Sequence, residues 1–196
     1  MTVLDERQME LLNDYLHELE VWNRRMNLTT IAPEDYWRRH VEESLELLVV
    51  AEPPKGARVV DVGSGAGLPG IVIAVARSDL QVTLIESVQR KAAFLVHVAG
   101  RLALSNVSVV NQRAEHAAHD PSMHEQFEVA FSRAAAPPAR LVSLALPLVA
   151  SGGRLVAAVR NPAQAAAQCH DAARRAGGGE PVVQPACVVV TKLLQT

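Results

Sequence analysis

The chain has 196 residues, 49% of them hydrophobic and 20% charged, with a formal net charge of −2. This length and composition predict one globular domain with a small helical annex. The net charge gives no overall electrostatic attraction to nucleic acid, so RNA binding would require a local basic patch. The chain lacks a signal-peptide pattern and any run of about 18 apolar residues, so we expect a cytoplasmic protein without a membrane partner, and a monomer.

Residues 1–56 predict the helical annex. Across 4–27 apolar residues recur at helical spacing, which indicates an amphipathic helix with one buried stripe. The stripe consists of Leu12, Tyr15, Leu16, Leu19, Trp22 and Met26. Residues 27–30 break this helix, and Pro33 before two acidic residues predicts the first turn of a second helix, which ends before Pro53-Pro54.

The annex is acidic, with twelve Asp and Glu residues against six Lys and Arg residues. Its basic clusters are Arg24-Arg25 and Arg38-Arg39-His40. Two interpretations of these clusters stay open: contact with RNA phosphates, or a solvated helix face paired with Glu20, Glu34 or Glu42.

From residue 57 onward, short β-branched runs alternate with helical stretches. Strands are predicted at 57–62, 81–86, 107–111, 127–132 and 154–159, and helices at 69–77, 89–104, 137–150 and 162–176. This alternation predicts a doubly wound α/β fold, with a mostly parallel, Rossmann-like sheet and helices on both faces. A terminal hairpin is predicted at 182–191, and residues 57–196 would form one compact unit.

The strongest functional signal lies where the first predicted strand ends. Asp61 is followed by Gly63, Gly65 and Gly67 at alternate positions, just before a helix. Glycines let the backbone turn tightly and approach a ligand that a Cβ would block, at the sheet edge where ligands bind. Residues 65–70 also fit the dinucleotide fingerprint GxGxxG, but its first glycine would come two residues late. The pattern DxGxGxG is in register with the strand and favours S-adenosylmethionine.

Two further carboxylates follow neighbouring strands. Glu86 ends the second strand, where a carboxylate can accept hydrogen bonds from both ribose hydroxyls of an adenosine-containing cofactor. The alternative for Glu86 is a solvated acid at a strand end. Ala114 and Glu115 follow the third strand, where the backbone and the carboxylate are predicted to read the adenine edge.

The loop after the fourth strand, residues 131–138, reads FSRAAAPP. It contains neither an Asp/Asn-Pro-Pro-aromatic sequence for an exocyclic amine nor a cysteine nucleophile for C5 methylation. Cys169 and Cys187 lie elsewhere and are predicted to be free buried thiols, and their spacing suggests no metal. A target that needs no deprotonation, such as guanine N7, fits this loop better. Arg133 is the candidate that orients a base or phosphate; the alternative is a pair with Glu115 or a cofactor carboxylate.

Several short motifs occur in one order along the chain. They are Trp22-Asn23, Asn27-Leu28-Thr29, Arg39-His40 with Ser44, Asp61–Gly70, Arg90–Leu95, Arg113-Ala114-Glu115 and Ser132-Arg133-Ala134. Together they resemble the bacterial small-subunit (16S) rRNA methyltransferase G family, also called glucose-inhibited division protein B. The resemblance implies a class I methyltransferase that methylates N7 of a guanine in the decoding-region loop of 16S rRNA, as naked rRNA or within the small ribosomal subunit.

The resemblance also implies roles for individual residues. Together with the glycine motif, it predicts cofactor contacts from Asp61, Gly63, Ser64, Gly65, Gly67, Leu68, Glu86, Ala114, Glu115 and Arg133. Arg133 and His40 are predicted to be catalytic and to border the target base. The predicted substrate-binding residues are Arg39, His40, Arg133 and Arg160.

Four positions depart from the family pattern. Glu43 stands where the family has Asp, Ala135 where it has a large apolar residue, and Arg160-Asn161 where it has Lys-Gly. These positions bear on the substrate and not on the cofactor loop. A methyltransferase for a small molecule or a protein therefore stays an alternative, as does a cofactor-binding module that has lost its substrate. A nicotinamide dehydrogenase is a more distant alternative.

Overall fold

Seven strands form one sheet in the computed structural model, which describes residues 3–133 and 135–194. The strands are β1 (Arg58–Val62), β2 (Gln81–Ile85), β3 (Val107–Val110), β4 (Phe127–Arg133), β5 (Val149–Ala158), β6 (Val182–Val183) and β7 (Cys187–Thr191). Their order across the sheet is β3-β2-β1-β4-β5-β7-β6. Strands β1 to β5 are parallel, whereas β7 runs antiparallel to both β5 and β6, which confirms the predicted terminal hairpin.

Helices cover both faces of this sheet. They are α1 (Glu6–Met26), α2 (Glu43–Ala51), α3 (Gly70–Ala76), α4 (Gln89–Arg101), α5 (Ala114–Ala117), α6 (Pro138–Ala145) and α7 (Pro162–Arg175). Alternate residues of a strand point to opposite faces, so Val59 packs in the core beside α1 to α4, and Val60 packs in the core beside α5 to α7. The predicted doubly wound α/β fold is therefore confirmed.

Helix α1 lies directly on the helical layer of the sheet. Asp5 and Gln8 form a capping box at its start, and the Gln8 side chain also donates hydrogen bonds of 3.1 Å to the carbonyl oxygens of Val75 and Ala76 at the end of α3. Within the predicted stripe, Leu12, Tyr15 and Leu19 are buried. They share one hydrophobic cluster with residues of β1, α3 and α4, so the annex and the sheet have a common core.

The segment that follows Pro33 is not the regular helix that the sequence predicted. A 3-10 turn at Pro33–Asp35 leads into a π-helical segment at Trp37–Glu42, and only then does α2 begin at Glu43. π-Helical turns are rare and occur frequently at functional sites. This segment carries Arg39 and His40, whose side chains belong to the candidate site.

Two boundaries near β5 also differ from the prediction. The helix predicted to reach residue 150 ends at Ala145, because Pro147 lacks the amide hydrogen that a continuing helix needs. Strand β5 then begins at Val149, ahead of its predicted start at 154. The sequence analysis missed the first half of this strand because it contains Gly152 and Gly153, and glycine has no side chain that would indicate a β-strand.

Cys169 and Cys187 are buried free thiols, as predicted. Over residues 3–133 and 135–194, no helix combines the length and the apolar character that a membrane crossing requires. In the same ranges, His, Cys, Asp and Glu side chains form no group of three or more that could hold a metal ion.

Candidate active site

Asp61 lies at the carboxyl end of β1 and is buried beneath the glycine loop. Its Oδ2 atom accepts a 3.0 Å hydrogen bond from the Gly70 amide at the start of α3. Its Oδ1 atom is also buried, and no described residue donates a hydrogen bond to it. Burial raises the pKa of Asp61 to about 7, although the Gly70 amide and the Arg133 charge act in the opposite direction. Asp61 therefore retains an unused hydrogen-bonding atom at the sheet edge where ligands bind.

The glycine loop is anchored to the neighbouring strand. The amides of Gly63 and Ser64 both donate to the carbonyl oxygen of Ile85 at the end of β2, at 2.9 and 3.1 Å. Gly63 has a φ angle of +74°, and a Cβ at this position would come within 2.5 Å of the Ala135 Cβ atom. Position 63 thus requires glycine for both reasons, and the loops that follow β1 and β4 are in contact.

Glu86 supports the same loop from the end of β2. Its Oε2 atom accepts a 2.9 Å hydrogen bond from the Gly65 amide, and its Oε1 atom accepts one of 2.7 Å from the Val88 amide. The carboxylate is therefore fixed beside the glycine loop and is not the solvated acid of the alternative interpretation. Each oxygen keeps a second lone pair, so the carboxylate can accept further hydrogen bonds from a ligand. Its predicted contact with ribose stays a prediction.

Tyr15 reaches the glycine loop from α1, a contact that the sequence analysis missed. Its hydroxyl group donates a 2.8 Å hydrogen bond to the carbonyl oxygen of Ala66. Burial raises the pKa of Tyr15 well above its ordinary value, so the hydroxyl stays a donor at physiological pH. Helical spacing assigned Tyr15 to the apolar stripe, and periodicity alone gives no signal for the partner of its hydroxyl group.

Arg133, Arg39 and His40 lie together, as expected for a common site. The Arg133 guanidinium donates from Nη1 to the carbonyl oxygen of Arg39 at 2.8 Å and from Nη2 to His40 Nδ1 at 3.0 Å. Glu43 stands between the two arginines, with Oε1 at 2.7 Å from Arg39 Nε and Oε2 at 3.7 Å from Arg133 Nη1. The sequence analysis named Glu43 only as a departure, whereas here it is the acid that balances this cluster.

His40 is buried and packs against the Tyr36 ring, with the ring centroids 5.1 Å apart. Burial and the Arg133 charge lower the pKa of His40 to about 4, so its ring is neutral near pH 7. An arginine can only donate hydrogen bonds, so His40 Nδ1 must accept. These contacts favour a positioning role for His40; its predicted catalytic role stays a prediction.

Glu115 pairs with a different arginine from the one considered in the sequence analysis. Its Oε1 atom lies 3.0 Å from Nη2 of Arg140, on α6, so the alternative in which Arg133 pairs with Glu115 is wrong. Ala114 and Glu115 form the first turn of the short helix α5, directly after β3. Their loop follows a strand that ends at the same edge of the sheet as β1 and β2. Their predicted contacts with adenine stay predictions.

The remaining basic residues do not join this cluster through any contact among the described residues. Arg24 pairs with Glu20 at 3.0 Å and Arg38 pairs with Asp35 at 3.1 Å, both on exposed helix surfaces. These pairs favour the solvated-face interpretation for Arg24 and Arg38. Arg160 is exposed two residues after the end of β5. Ala134, the last residue of the Ser132-Arg133-Ala134 motif, lies outside the described residues.

Comparisons with known proteins show the family of this chain. Residues 8–192 match the model of the family described as rRNA small subunit methyltransferase G. The chain is 45% identical over 156 residues to the ribosomal RNA small subunit methyltransferase G of Roseiflexus castenholzii, covering 79% of this chain and 66% of that protein. It is 39% identical over 205 residues to the protein of the same description from a Roseiflexus species, covering 98% and 87%. Of the relative from Sorangium cellulosum, to which it is 44% identical, the chain spans 63% of the length.

The fold is shared with solved methyltransferases of low sequence identity. A SAM-dependent O-methyltransferase from Thermotoga maritima matches with a TM-score of 0.60 at 15% identity, over 91% of this chain and 72% of that chain. A likeness at this identity shows the fold alone. The matched length and the identity to the relatives, by contrast, establish ancestry: this chain belongs to the rRNA small subunit methyltransferase G family.

Proposed function

We propose that this chain is a cytoplasmic enzyme that transfers a methyl group from S-adenosylmethionine to N7 of a guanine in the decoding-region loop of 16S rRNA. The observation that carries the proposal is family membership over residues 8–192, a range that includes the whole glycine loop and Arg133. The substrate is the rRNA itself or the assembled small ribosomal subunit.

The residues of the crevice fit S-adenosylmethionine. The cofactor supplies an electrophilic methyl group, and its amino-acid end carries an ammonium group. Asp61 has a buried Oδ1 atom that lacks a donor among residues 3–133 and 135–194, and it would hold the ammonium group. Glu86 would accept the ribose hydroxyls through its remaining lone pairs, and Ala114 and Glu115 would contact the adenine.

Methylation at N7 requires no general base. The N7 lone pair would form the new bond to the methyl carbon that the bound cofactor supplies, with the electron pair of the broken bond left on sulfur and the positive charge on the base. No proton leaves in this step. The loop FSRAAAPP accordingly contains no acid, histidine, lysine or cysteine, and the neutral ring of His40 accepts a hydrogen bond from Arg133. The chain would act by positioning, with Arg133 orienting the base or its phosphate and Arg39 and Arg160 contacting the RNA.

The test is methyl transfer to small ribosomal subunits from cells that lack the corresponding gene. Purified protein and labelled S-adenosylmethionine are incubated with these subunits, and methylated N7 positions are mapped by N7-specific strand cleavage. We expect a single cut at a guanine of the decoding-region loop, and no cut with Arg133→Ala. A cut elsewhere would contradict the predicted target.

The same experiment separates the alternative functions. Naked 16S rRNA is assayed beside the subunits, and cofactor binding is measured by calorimetry. Cofactor binding without incorporation into either RNA would refute the rRNA substrate and leave a small molecule, a protein or no substrate at all. Salt dependence is a second discriminator, because phosphate contacts release counterions and make RNA affinity fall with added salt. An affinity that does not depend on salt would argue against an RNA substrate.

A further inference from the structure

We infer that Thr29 and Asn23 are positioning residues for Arg133 and act on it through His40. The kinetic part of this inference rests on the proposed function, whereas the structural part does not. A continuous series of hydrogen bonds joins these four residues, which come from α1, the loop after α1, the π-helical segment and the end of β4.

The series begins at Asn23, near the end of α1. The Asn23 side chain accepts a 2.9 Å hydrogen bond from the Thr29 amide and donates one of 3.0 Å to the Thr29 carbonyl oxygen. Both polar groups of the Thr29 backbone are therefore held by one side chain. This clamp fixes the loop residue whose hydroxyl group faces His40.

The Thr29 hydroxyl is the partner of the His40 nitrogen that carries the proton. Thr29 Oγ1 lies 3.1 Å from His40 Nε2 and accepts a 3.1 Å hydrogen bond from the Ile31 amide. His40 Nδ1 must accept from Arg133, since a guanidinium only donates. The neutral ring therefore carries its proton on Nε2 and donates it to Thr29. Without this acceptor, the buried Nε2–H group would lack a hydrogen-bond partner. The other tautomer removes that cost but places an N–H group against the Arg133 guanidinium, so either outcome disturbs the pair.

The position of the Arg133 guanidinium depends on this orientation of His40. Among the described residues, the hydrogen bonds of its guanidinium go to the Arg39 carbonyl oxygen and to His40, which leaves donors for a substrate or cofactor. Burial raises the pKa values of Tyr15 and Asp61, and the Arg133 charge acts on both in the opposite direction. Tyr15 contacts the glycine loop, and Asp61 contacts the start of α3. The series thus holds a partly exposed arginine beside the crevice through the buried His40.

This hydrogen-bond network is better explained by positioning of Arg133 than by stabilisation of the fold. Buried polar groups stabilise a fold weakly, but a fully satisfied network fixes one geometry. The network also contains Ser44, whose hydroxyl group donates to the His40 carbonyl oxygen and holds the segment that carries the ring. The contact between His40 and Arg133 joins residues 93 apart in the chain, so it depends on tertiary packing and not on local structure.

The structural test measures the ring and the guanidinium directly. Protein labelled with 15N in its seven histidines and its arginines is compared as wild type, Thr29→Val and the matched control Thr29→Ser. We expect His40 to be the neutral Nε2–H tautomer at pH 7 in the wild type and in Thr29→Ser. In Thr29→Val we expect the other tautomer to appear and the Arg133 Nε–H signal to broaden or shift. A wild-type His40 protonated on Nδ1, or an Arg133 signal that is the same in all three proteins, would overturn the inference.

The kinetic test uses the same proteins with unmethylated small ribosomal subunits, from cells that lack the corresponding gene, as the substrate. We expect kcat for Thr29→Val to fall by about tenfold to a hundredfold, with a smaller change in KM and with activity restored in Thr29→Ser. Equal kcat in both variants would contradict the inference. If the wild type methylates no rRNA, the proposed function fails, and the tautomer and the Arg133 signal still decide the inference.

A second pair of variants covers the case in which Thr29→Val does not fold. His40→Asn keeps an acceptor near the position of Nδ1, and His40→Gln places its polar group near Nε2. If His40 acts by accepting from Arg133, His40→Asn will keep an Arg133 signal closer to the wild type than His40→Gln does. The same displacement of the signal in both variants would count against a role for Nδ1.

Discussion

The hydroxyl group of Tyr15 lies 2.8 Å from the carbonyl oxygen of Ala66, and this hydrogen bond ties helix α1 to the glycine loop across 51 residues of sequence. The bond is buried, so no water replaces either partner if the other is removed. The loop that would hold the cofactor therefore depends on a side chain from the annex.

The first prediction concerns Tyr15→Phe. This change leaves the Ala66 carbonyl oxygen buried without its donor, so we expect a loss of about 1–3 kcal/mol in the free energy of unfolding and weaker binding of S-adenosylmethionine. Denaturant titration and calorimetry measure the two effects. Ser143→Ala, which removes a comparable hydroxyl-to-carbonyl bond at an exposed position, is the control and should change neither quantity appreciably. Equal behaviour of the two variants would refute a role for Tyr15 in holding the loop.

The second prediction concerns pH. The pKa of Asp61 is raised to about 7 in the folded protein from an ordinary value of 3.8, so between these values the native state binds more protons than the unfolded state. The stability that this group contributes is present below about pH 4 and is lost as the pH rises through 7. Asp61→Asn cannot titrate, and its side-chain oxygen can still accept from the Gly70 amide.

Unfolding by denaturant is therefore measured for the wild type and Asp61→Asn between pH 4 and 8. The free energy of unfolding of the wild type, relative to that of the variant, should fall as the pH rises to about 7 and then level off. A difference that stays constant over this range would show that the pKa of Asp61 is not raised.

The third prediction uses two glycines. Gly63→Ala introduces a Cβ within 2.5 Å of the Ala135 Cβ atom at a φ angle of +74°, so we expect a loss of about 1–3 kcal/mol and weakened cofactor binding. Gly100→Ala, on the exposed side of α4, meets no atom within 4 Å and should stabilise the protein by about 0.4–1 kcal/mol. Thermal or denaturant unfolding gives both values. Destabilisation by Gly100→Ala, or none by Gly63→Ala, would contradict this account of the loop.

The fourth prediction concerns the coupling between Arg133 and His40. Arg133→Ala removes a positive charge beside the ring, so the pKa of His40 should rise from about 4 toward its ordinary value of 6.5. An NMR titration of the histidines measures this shift. Arg175→Ala, at the exposed end of α7, serves as the control and should leave the titration of His40 unchanged. No shift in Arg133→Ala would mean that Arg133 does not act on the ring electrostatically.

Local signals in the sequence predicted most of the fold correctly. Alternating β-branched runs and helical stretches predicted the parallel strands β1 to β4. The strand and helix periodicities both depend on residues that are close together in the sequence, so a short window is enough to detect them. The errors lie where local signals conflict with packing. Gly152 and Gly153 conceal the start of β5, and the π-helical segment around His40 has no sequence pattern that distinguishes it from a regular helix.

The sequence by itself determined the order of strand, Asp61 and glycine loop, because these residues are adjacent and their backbone geometry is local. The sequence also contains, in one order along the chain, the motifs on which the family resemblance depends. Only the tertiary structure decided how these motifs meet. His40 and Arg133 are 93 residues apart in the chain, and Tyr15 lies 51 residues from Ala66, yet both pairs form hydrogen bonds. Such pairings follow from how the annex packs on the sheet. Contacts between residues so far apart in the chain produce no periodic pattern in the sequence.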